Sequence, residues 1–322
     1  MNPFLFLVGC ARSGTRMLGR LVDAHPEIAV VHEARFVPGW FVHRRGVTPD
    51  GLATRELVEQ LVAFERFEHL GVAREDLERL LGKEGAVPYA TFVRGLFDLH
   101  GRAQGKRLVA DKTPRYTRNI PTLHELFPTA KIVHLVRDGR DVALSVANWK
   151  KVSERGELVA GYRTWPEDPM STIALWWERE VRLGCEDGRA LGPELYYEPR
   201  YEALVADPAG ECARLCAFLG VPYDGAMLGS PADASSDGKR WRSKPPPTLG
   251  RRDWRTQMPA DDVRRFEAAA GDLLDELGYP RAFPTVAPEA REQAARMRAL
   301  FTEEILARRR RVPQRWESGL PT

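Results

Sequence analysis

The chain has 322 residues, of which 43% are hydrophobic and 29% charged, with a formal net charge of +3. That composition argues against a disordered or membrane-spanning chain, and the small, interleaved excess of base suits an anionic small ligand better than a nucleic-acid track. Four cysteines without C-x-x-C spacing make neither a disulfide framework nor a zinc cluster, and the length fits one α/β enzyme with insertions.

Phe4 to Val8 is an apolar run too short to cross a bilayer, and it reads as a buried strand. A helix follows, with Met17, Leu18, Leu21 and Val22 at helical spacing, Thr15 near the start where hydroxyls cap, and Pro26 beyond the end. Between them lies Gly9-Cys10-Ala11-Arg12-Ser13-Gly14-Thr15. A loop between a buried strand and a helix N-terminus gathers backbone N–H groups and the positive helix end, which makes a nest for an anion. The ATP-binding form of such a loop has a lysine directly after its second glycine. Here Thr15 holds that place, and the cation is Arg12, with Ser13 and Thr15 as hydroxyl donors. Cys10 is read as a packed thiol. A ligand-free strand-to-helix turn is the alternative.

This stretch resembles the 5′-phosphosulfate loop of sulfotransferases that use the donor PAPS (3′-phosphoadenosine 5′-phosphosulfate), where R/K-S-G-T follows the first strand. It is most similar to the tyrosylprotein and bacterial branch, whose helix ends D-A-H-P, as Asp23-Ala24-His25-Pro26 does. Arg16 stands where that branch has a second threonine. The resemblance implies a P-loop-like α/β fold of three layers with a central parallel sheet flanked by helices. It further implies direct in-line transfer of a sulfuryl group from PAPS to an acceptor hydroxyl, leaving PAP, without a metal. Arg12, Ser13, Gly14, Thr15 and Arg16 would then surround the phosphosulfate.

Ile28 to Val31 reads as a second buried strand that delivers His32-Glu33-Ala34-Arg35 to its carboxyl end, the side that faces the ligand crevice in open α/β sheets. The resemblance makes Glu33 the general base and Arg35 a substrate contact, with His32 in place of a second acidic residue. A solvated strand end or a plain Glu33 to Arg35 ion pair is the alternative. Residues 48–105 carry helical patterns at Leu57, Leu61 and Phe64 and at Leu77, Leu80 and Leu81, and read as a helical insertion over the acceptor side. His69 and His100 read as ordinary side chains. Leu108 to Ala110 is a brief strand entering Asp111-Lys112-Thr113-Pro114, which resembles the family's D/N-K-x-P. An ammonium there offsets charge on the departing phosphate. A surface cation is the plain alternative.

In Lys131 to Trp149, Ile132 to Val136 reads as a buried strand, and Asp141 as the cap of a helix carrying Val142, Val146 and Trp149. Arg137 and Ser145 match the family's 3′-phosphate pair, and a guanidinium fork with a helix hydroxyl suits a monoester phosphate. The resemblance also lets Ser145 restrain Lys112 until acceptor binds. Arg137 intervenes between the apolar run and Asp138, so a Walker B order is absent; Arg140 reads as a structural partner of Asp138 or Asp141. Thr172 to Cys185 reads as a packed helix with Ile173, Trp176 and Trp177 inward, followed by a strand from Glu194 to Tyr197. Tyr201 matches the family tyrosine that lies against adenine. Asp207 and Pro208 open a helix that ends at Gly220 and buries Cys212 and Cys216 beside Leu215 and Leu219. Lys244-Pro245-Pro246-Pro247 precedes Trp254 at the interval of the family's nucleotide lid, with a plain surface loop as the rival. Asp261 to Leu277 is an amphipathic helix, and a charged helix from Pro288 to about Arg310 ends in Arg308 to Arg311, where cations complement the helix dipole.

The expected organisation is a sulfotransferase domain over 1–285, with a C-terminal helical tail over 286–322 through which a homodimer would form. Glu33, Lys112, Arg12 and Ser145 carry the chemistry in this reading, and Arg137, Tyr201 and Lys244 complete the nucleotide site. The N-terminus lacks a basic leader and cleavage site, so the expected compartment is the cytoplasm, a leader removed earlier being the alternative. Partners are a hydroxyl-bearing acceptor, with neither nucleic acid nor a membrane span. An ATP-dependent P-loop kinase and a catalytically silent nucleotide-binding protein are the rival functions. The acceptor stays open among peptide tyrosine, phenol, sugar and lipid.

Overall fold

The computed structural model describes residues 4–147, 168–229 and 253–311; Trp149 and the stretch Lys244 to Pro247 lie outside them. The strands are β1 (Leu5–Val8), β2 (Ile28–His32), β3 (Leu52–Thr54), β4 (Ala86–Pro88), β5 (Leu108–Lys112), β6 (Lys131–His134) and β7 (Tyr196–Tyr197). Five of them form one parallel sheet in the order β2-β5-β1-β6-β7. β3 and β4 pair antiparallel by themselves. By contacts the chain divides into two compact units. One comprises Met1–Gly9, Gly14–Leu135 and Gly184–Thr248; the other comprises Cys10–Ser13, Val136–Leu183 and Leu249–Thr322.

The first unit is a three-layer stack around the sheet. Alternation along β1 sends Leu5 and Leu7 to one face and Phe4 and Phe6 to the other. Leu5 and Leu7 pack with Met17, Leu18 and Leu21 of the helix Thr15–Asp23 and with Leu215 and Leu219 of the helix Pro208–Leu219. Phe4 and Phe6 meet Phe127, and Phe4 meets Phe97 of the helix Tyr89–Arg102. A parallel sheet covered on both faces is why its strands read as continuous apolar runs. Cys212 and Cys216 are buried in the first of these faces, and all four cysteines are free. The second unit holds the helices Gly139–Ala147, Trp254–Gln257, Ala260–Glu276 and Pro288–Arg311, with the helix Pro169–Arg189 up to Leu183. Its centre is polar. Arg140, fully buried, pairs with Asp138 at 2.8 Å and Glu267 at 2.6 Å, and its guanidinium lies 3.7 Å above the Trp254 ring. The Pro288–Arg311 helix is tied in by Arg298, which pairs with Glu178 at 2.8 Å.

Several local expectations shift. β6 stops at His134 rather than Val136, although Leu135 N still donates to Val8 O. β5 runs two residues further than expected, so Asp111 and Lys112 are strand residues, and the last strand is only Tyr196–Tyr197. The Thr15 hydroxyl does not cap its helix, whose N-cap is Gly14 in left-handed backbone. Asp141 lies inside the first turn of its helix, and Asp138 does the capping by accepting from Arg140 N at 2.9 Å. The insertion contains the helices Arg55–Val62, Arg74–Leu81 and Tyr89–Arg102, with the β3–β4 ribbon as an addition unannounced by alternation over so few residues. The helix around Trp176 extends to Pro169–Arg189. Among the described residues, no helix is long and apolar enough to cross a membrane.

Candidate active site

In the sheet unit, β2 and β5 run side by side with His32 opposite Lys112 and Val31 opposite Asp111. The ladder extends one residue further, Glu33 N donating to Lys112 O at 2.9 Å. There the chain turns, with Glu33 at φ 60° and Arg35 at φ 62°, left-handed values that side chains disfavour and that persist where surrounding structure imposes them. The turn aims the Glu33 carboxylate at a ring of cations. Lys112 Nζ donates to Oε1 at 3.1 Å, Arg35 Nε to Oε2 at 3.1 Å, and Arg66 Nη2 stands 3.7 Å from Oε2. Burial pushes the Glu33 carboxyl up, but Lys112 and Arg35 outweigh it and hold the group down at about 2. Burial lowers the Lys112 ammonium against the pull of Glu33. It also lowers His32, helped by the charge of Lys112, to about 3, so His32 is a neutral imidazole. Glu33 is thus an ionised acceptor throughout the physiological range, with its counter-ions in contact.

Lys112 reaches this position along the flank of Gly19, where an added Cβ would stand 3.1 Å from Lys112 Cγ and 3.5 Å from His32 Cε1. Gly14, the helix N-cap, has φ 97° and lies against the Tyr201 ring, whose Cδ2 would be only 2.5 Å from a Cβ placed there. The tyrosine expected at the nucleotide therefore packs on the loop itself. Arg16 is exposed on the first turn of the helix, near enough to depress the Lys112 ammonium further.

The second unit contains the other part of the loop. Arg12 takes φ 76°, and its Nε donates to Ser145 Oγ at 2.9 Å. Arg137 Nη1 donates to the Arg12 carbonyl at 3.4 Å and Nη2 to Asp141 Oδ2 at 3.3 Å. Trp177 Nε1 holds the Arg137 carbonyl at 3.2 Å, and Asp141 Oδ1 accepts from Trp254 N at 3.0 Å. Arg12, Arg137 and Ser145 thus form one cluster although far apart in the chain. The Ser13 hydroxyl beside them is fully buried and has no hydrogen-bond partner among the described residues. A sealed hydroxyl, two guanidinium groups and a helix hydroxyl are the donor set that a phosphorylated nucleotide needs. Lys244 lies outside the described residues.

Sequence reasoning missed Arg66, Gly19 and the Asp141 contact to Arg137. Only Gly19 left a trace, as a glycine within an amphipathic helix, where it costs stability without a packing reason. One further group, His134 with Cys185 and Glu198, gathers side chains of metal-ligand type. They are already engaged: the Tyr196 hydroxyl meets His134 Nδ1 at 2.7 Å and Glu198 at 2.9 Å, and Arg189 pairs with Glu198. Burial, aided by Glu198, pushes the Cys185 thiol up to about 12, which disfavours the thiolate a metal would take.

A model of the sulfotransferase family matches residues 3–225. The chain belongs to the sulfotransferase family. Protein-tyrosine sulfotransferase A of Caenorhabditis elegans is 25% identical over 88% of this sulfotransferase and 69% of the relative. The Drosophila melanogaster protein-tyrosine sulfotransferase is 26% identical over 88% of this chain and 53% of its own. The nodulation protein NoeE of Sinorhizobium fredii is 29% identical over 97% and 72% respectively. Two solved structures share the fold. The sulfotransferase domain of the Synechococcus PCC 7002 olefin synthase has a TM-score of 0.52 at 22% identity, over 87% of this chain and 95% of that one. The corresponding domain of the curacin biosynthetic pathway has a TM-score of 0.53 at 19% identity, over 92% and 98%.

Proposed function

We propose that this sulfotransferase moves a sulfuryl group from PAPS to an acceptor hydroxyl by direct in-line displacement, with Glu33 as general base. The observation that carries the reading is the Glu33–Lys112 contact at the ends of paired strands, a base and a leaving-group cation in one hydrogen bond. Bound PAPS supplies the sulfuryl group on a bridging oxygen that leaves with the 5′-phosphate of PAP. Arg12, Ser13 and the N–H groups of the loop through Gly14, Thr15 and Arg16 bind the phosphosulfate oxygens. Arg137 and Ser145 bind the 3′-phosphate, and Tyr201 stacks on adenine.

Glu33 accepts the acceptor's proton at a carboxylate oxygen as the new oxygen–sulfur bond forms and the bridging bond breaks. At rest the carboxylate is too acidic to be an effective base, because its cations favour the ionised form. Transfer of Lys112 from Glu33 to the bridging oxygen removes one of those cations. The same movement strengthens the base and neutralises the leaving group. Arg35 and His32 flank the acceptor, which is a peptide tyrosine or a small hydroxyl compound. The similarity to protein-tyrosine sulfotransferases supports the tyrosine option. The buried free cysteines favour a reducing, cytoplasmic setting, and the expected division into a domain over 1–285 and a tail over 286–322 belongs to the same reading.

The test is an acceptor screen with isotopically labelled PAPS read by mass spectrometry, alongside calorimetry with PAP and with Mg-ATP. A labelled sulfated product and PAP binding support the reading. Binding of Mg-ATP in preference to PAP would move it to a kinase, and PAP binding without product in any acceptor class would make it a silent nucleotide-binding protein.

A further inference from the structure

The stretch Arg137-Asp138-Gly139-Arg140-Asp141 carries two arginines and two acids, and the fold sorts them into separate pairs. Asp138 is committed to Arg140: its Oδ1 accepts from Arg140 N at 2.9 Å and from Nε at 3.0 Å, and its Oδ2 accepts from Nη2 at 2.8 Å. Arg137 falls to Asp141, four residues on, whose Oδ2 accepts from Arg137 Nη2 at 3.3 Å. The other oxygen of Asp141, Oδ1, accepts from the backbone N–H of Trp254 at 3.0 Å. Trp254 is itself pinned, because its indole Nε1 donates to Asp138 Oδ2 at 3.0 Å and its ring lies under the Arg140 guanidinium. The two pairs therefore meet on one residue, which gives its ring N–H to one acid and its main-chain N–H to the other. The Arg137 and Asp141 side chains are only 8% and 14% exposed, so water and salt screen their contact little.

An arginine has several torsions, and ordering it on a ligand costs affinity unless the protein has ordered it beforehand. The main chain of Arg137 is held by Trp177 Nε1, which donates to its carbonyl at 3.2 Å. Its guanidinium is held by the Arg12 carbonyl at 3.4 Å and by the Asp141 carboxylate. The carbonyl contact is long and its acceptor neutral, so the carboxylate is the stronger hold.

We propose that Asp141 is a positioning residue for the nucleotide: anchored by the Trp254 amide through one oxygen, it fixes the Arg137 guanidinium with the other in the orientation that reads the 3′-phosphate. The proposal rests on the reading of Arg137 as a ligand of that phosphate, and its sign separates it from plain electrostatics. A carboxylate beside a phosphate site repels the phosphate, so removing it tightens binding if charge alone counts. Removing it weakens binding if orientation counts for more.

Calorimetry on the full chain with PAP, and with adenosine 5′-phosphosulfate, which lacks the 3′-phosphate, decides between them. Asp141→Ala should weaken PAP by about three- to tenfold, the cost of ordering one long side chain on binding. Adenosine 5′-phosphosulfate should lose less than about twofold, whereas a merely structural loss would lower both ligands alike. In an Arg137→Ala background, adding Asp141→Ala should change PAP affinity by less than about twofold, since a residue that acts through Arg137 then has nothing to position. Asp141→Asn is nearly isosteric but offers one acceptor oxygen to two donors, so it too should weaken PAP by about threefold or more. Unchanged or tighter PAP binding in a folded Asp141→Ala protein overturns the proposal. So does full additivity with Arg137→Ala, or equal loss of both ligands where Arg137→Ala is selective for PAP. If the alanine variant does not fold, wild-type PAP affinity in Asp141→Asn overturns it instead. Arg137→Ala losing both ligands equally is the failure of the 3′-phosphate reading, and the additivity of the two substitutions still shows whether Asp141 acts through Arg137, so the two failures are separate results.

Discussion

Lys112 Nζ stands 3.1 Å from Glu33 Oε1, and the two residues sit at the tips of strands joined by the Glu33 N to Lys112 O hydrogen bond. The cation read as leaving-group stabiliser is thus the resting counter-ion of the base. One movement of a flexible ammonium changes both groups, and the consequences can be measured separately.

Glu33→Gln should leave PAP affinity intact and lower kcat at least about a hundredfold, the lower range for removal of a general base. Steady-state kinetics with the best acceptor, together with PAP calorimetry, check it. An unchanged rate would remove Glu33 from the mechanism.

The same ion pair should show in stability. The Glu33 carboxyl is held down at about 2 in the folded chain, so its contribution is fully present above the ordinary carboxylate value and is lost as pH falls toward 2. Its size is at most about 3 kcal/mol. Urea melts should show wild type more stable than Glu33→Gln at pH 7, with the gap closing between about pH 4.5 and pH 2. A gap that stays constant across this window would contradict the assignment.

Arg137→Ala should weaken PAP by roughly ten- to a hundredfold, as expected for a charge-assisted hydrogen bond. Adenosine 5′-phosphosulfate, which lacks the 3′-phosphate, should lose little. Equal losses in calorimetry would mean that Arg137 reads another part of the ligand.

Gly19→Ala separates helix propensity from site geometry. Alanine favours the helix by up to about 1 kcal/mol, but its Cβ would crowd Lys112 Cγ. The variant should melt no lower than wild type and turn over several-fold more slowly. Wild-type kcat would show that Lys112 does not depend on that flank.

Arg140→Ala should cost about 3–5 kcal/mol in urea unfolding, because Asp138 and Glu267 would lose their shared buried cation. A loss below about 1 kcal/mol, the range of an exposed pair, would argue against a structural role for this cluster.

The sequence by itself determined the five strands of the main sheet and the glycine-bearing turn from the first of them into its helix. These are legible because a strand covered on both faces is continuously apolar, and a strand-to-helix turn needs glycine where backbone goes left-handed. It also marked Asp207 and Gly220 as helix ends, since caps are local chemistry. Only the tertiary structure decided that Arg12 meets Ser145, that Arg66 joins Glu33 from the helical insertion, and that Asp138 rather than Asp141 caps its helix. It alone put His32 opposite Lys112, and so Glu33 beside a lysine distant in the chain. The physical reason is register. Apolar periodicity says that a strand is buried, but which residue faces which across a parallel pair is set by packing on both sheet faces, and the charges at the strand ends follow that choice.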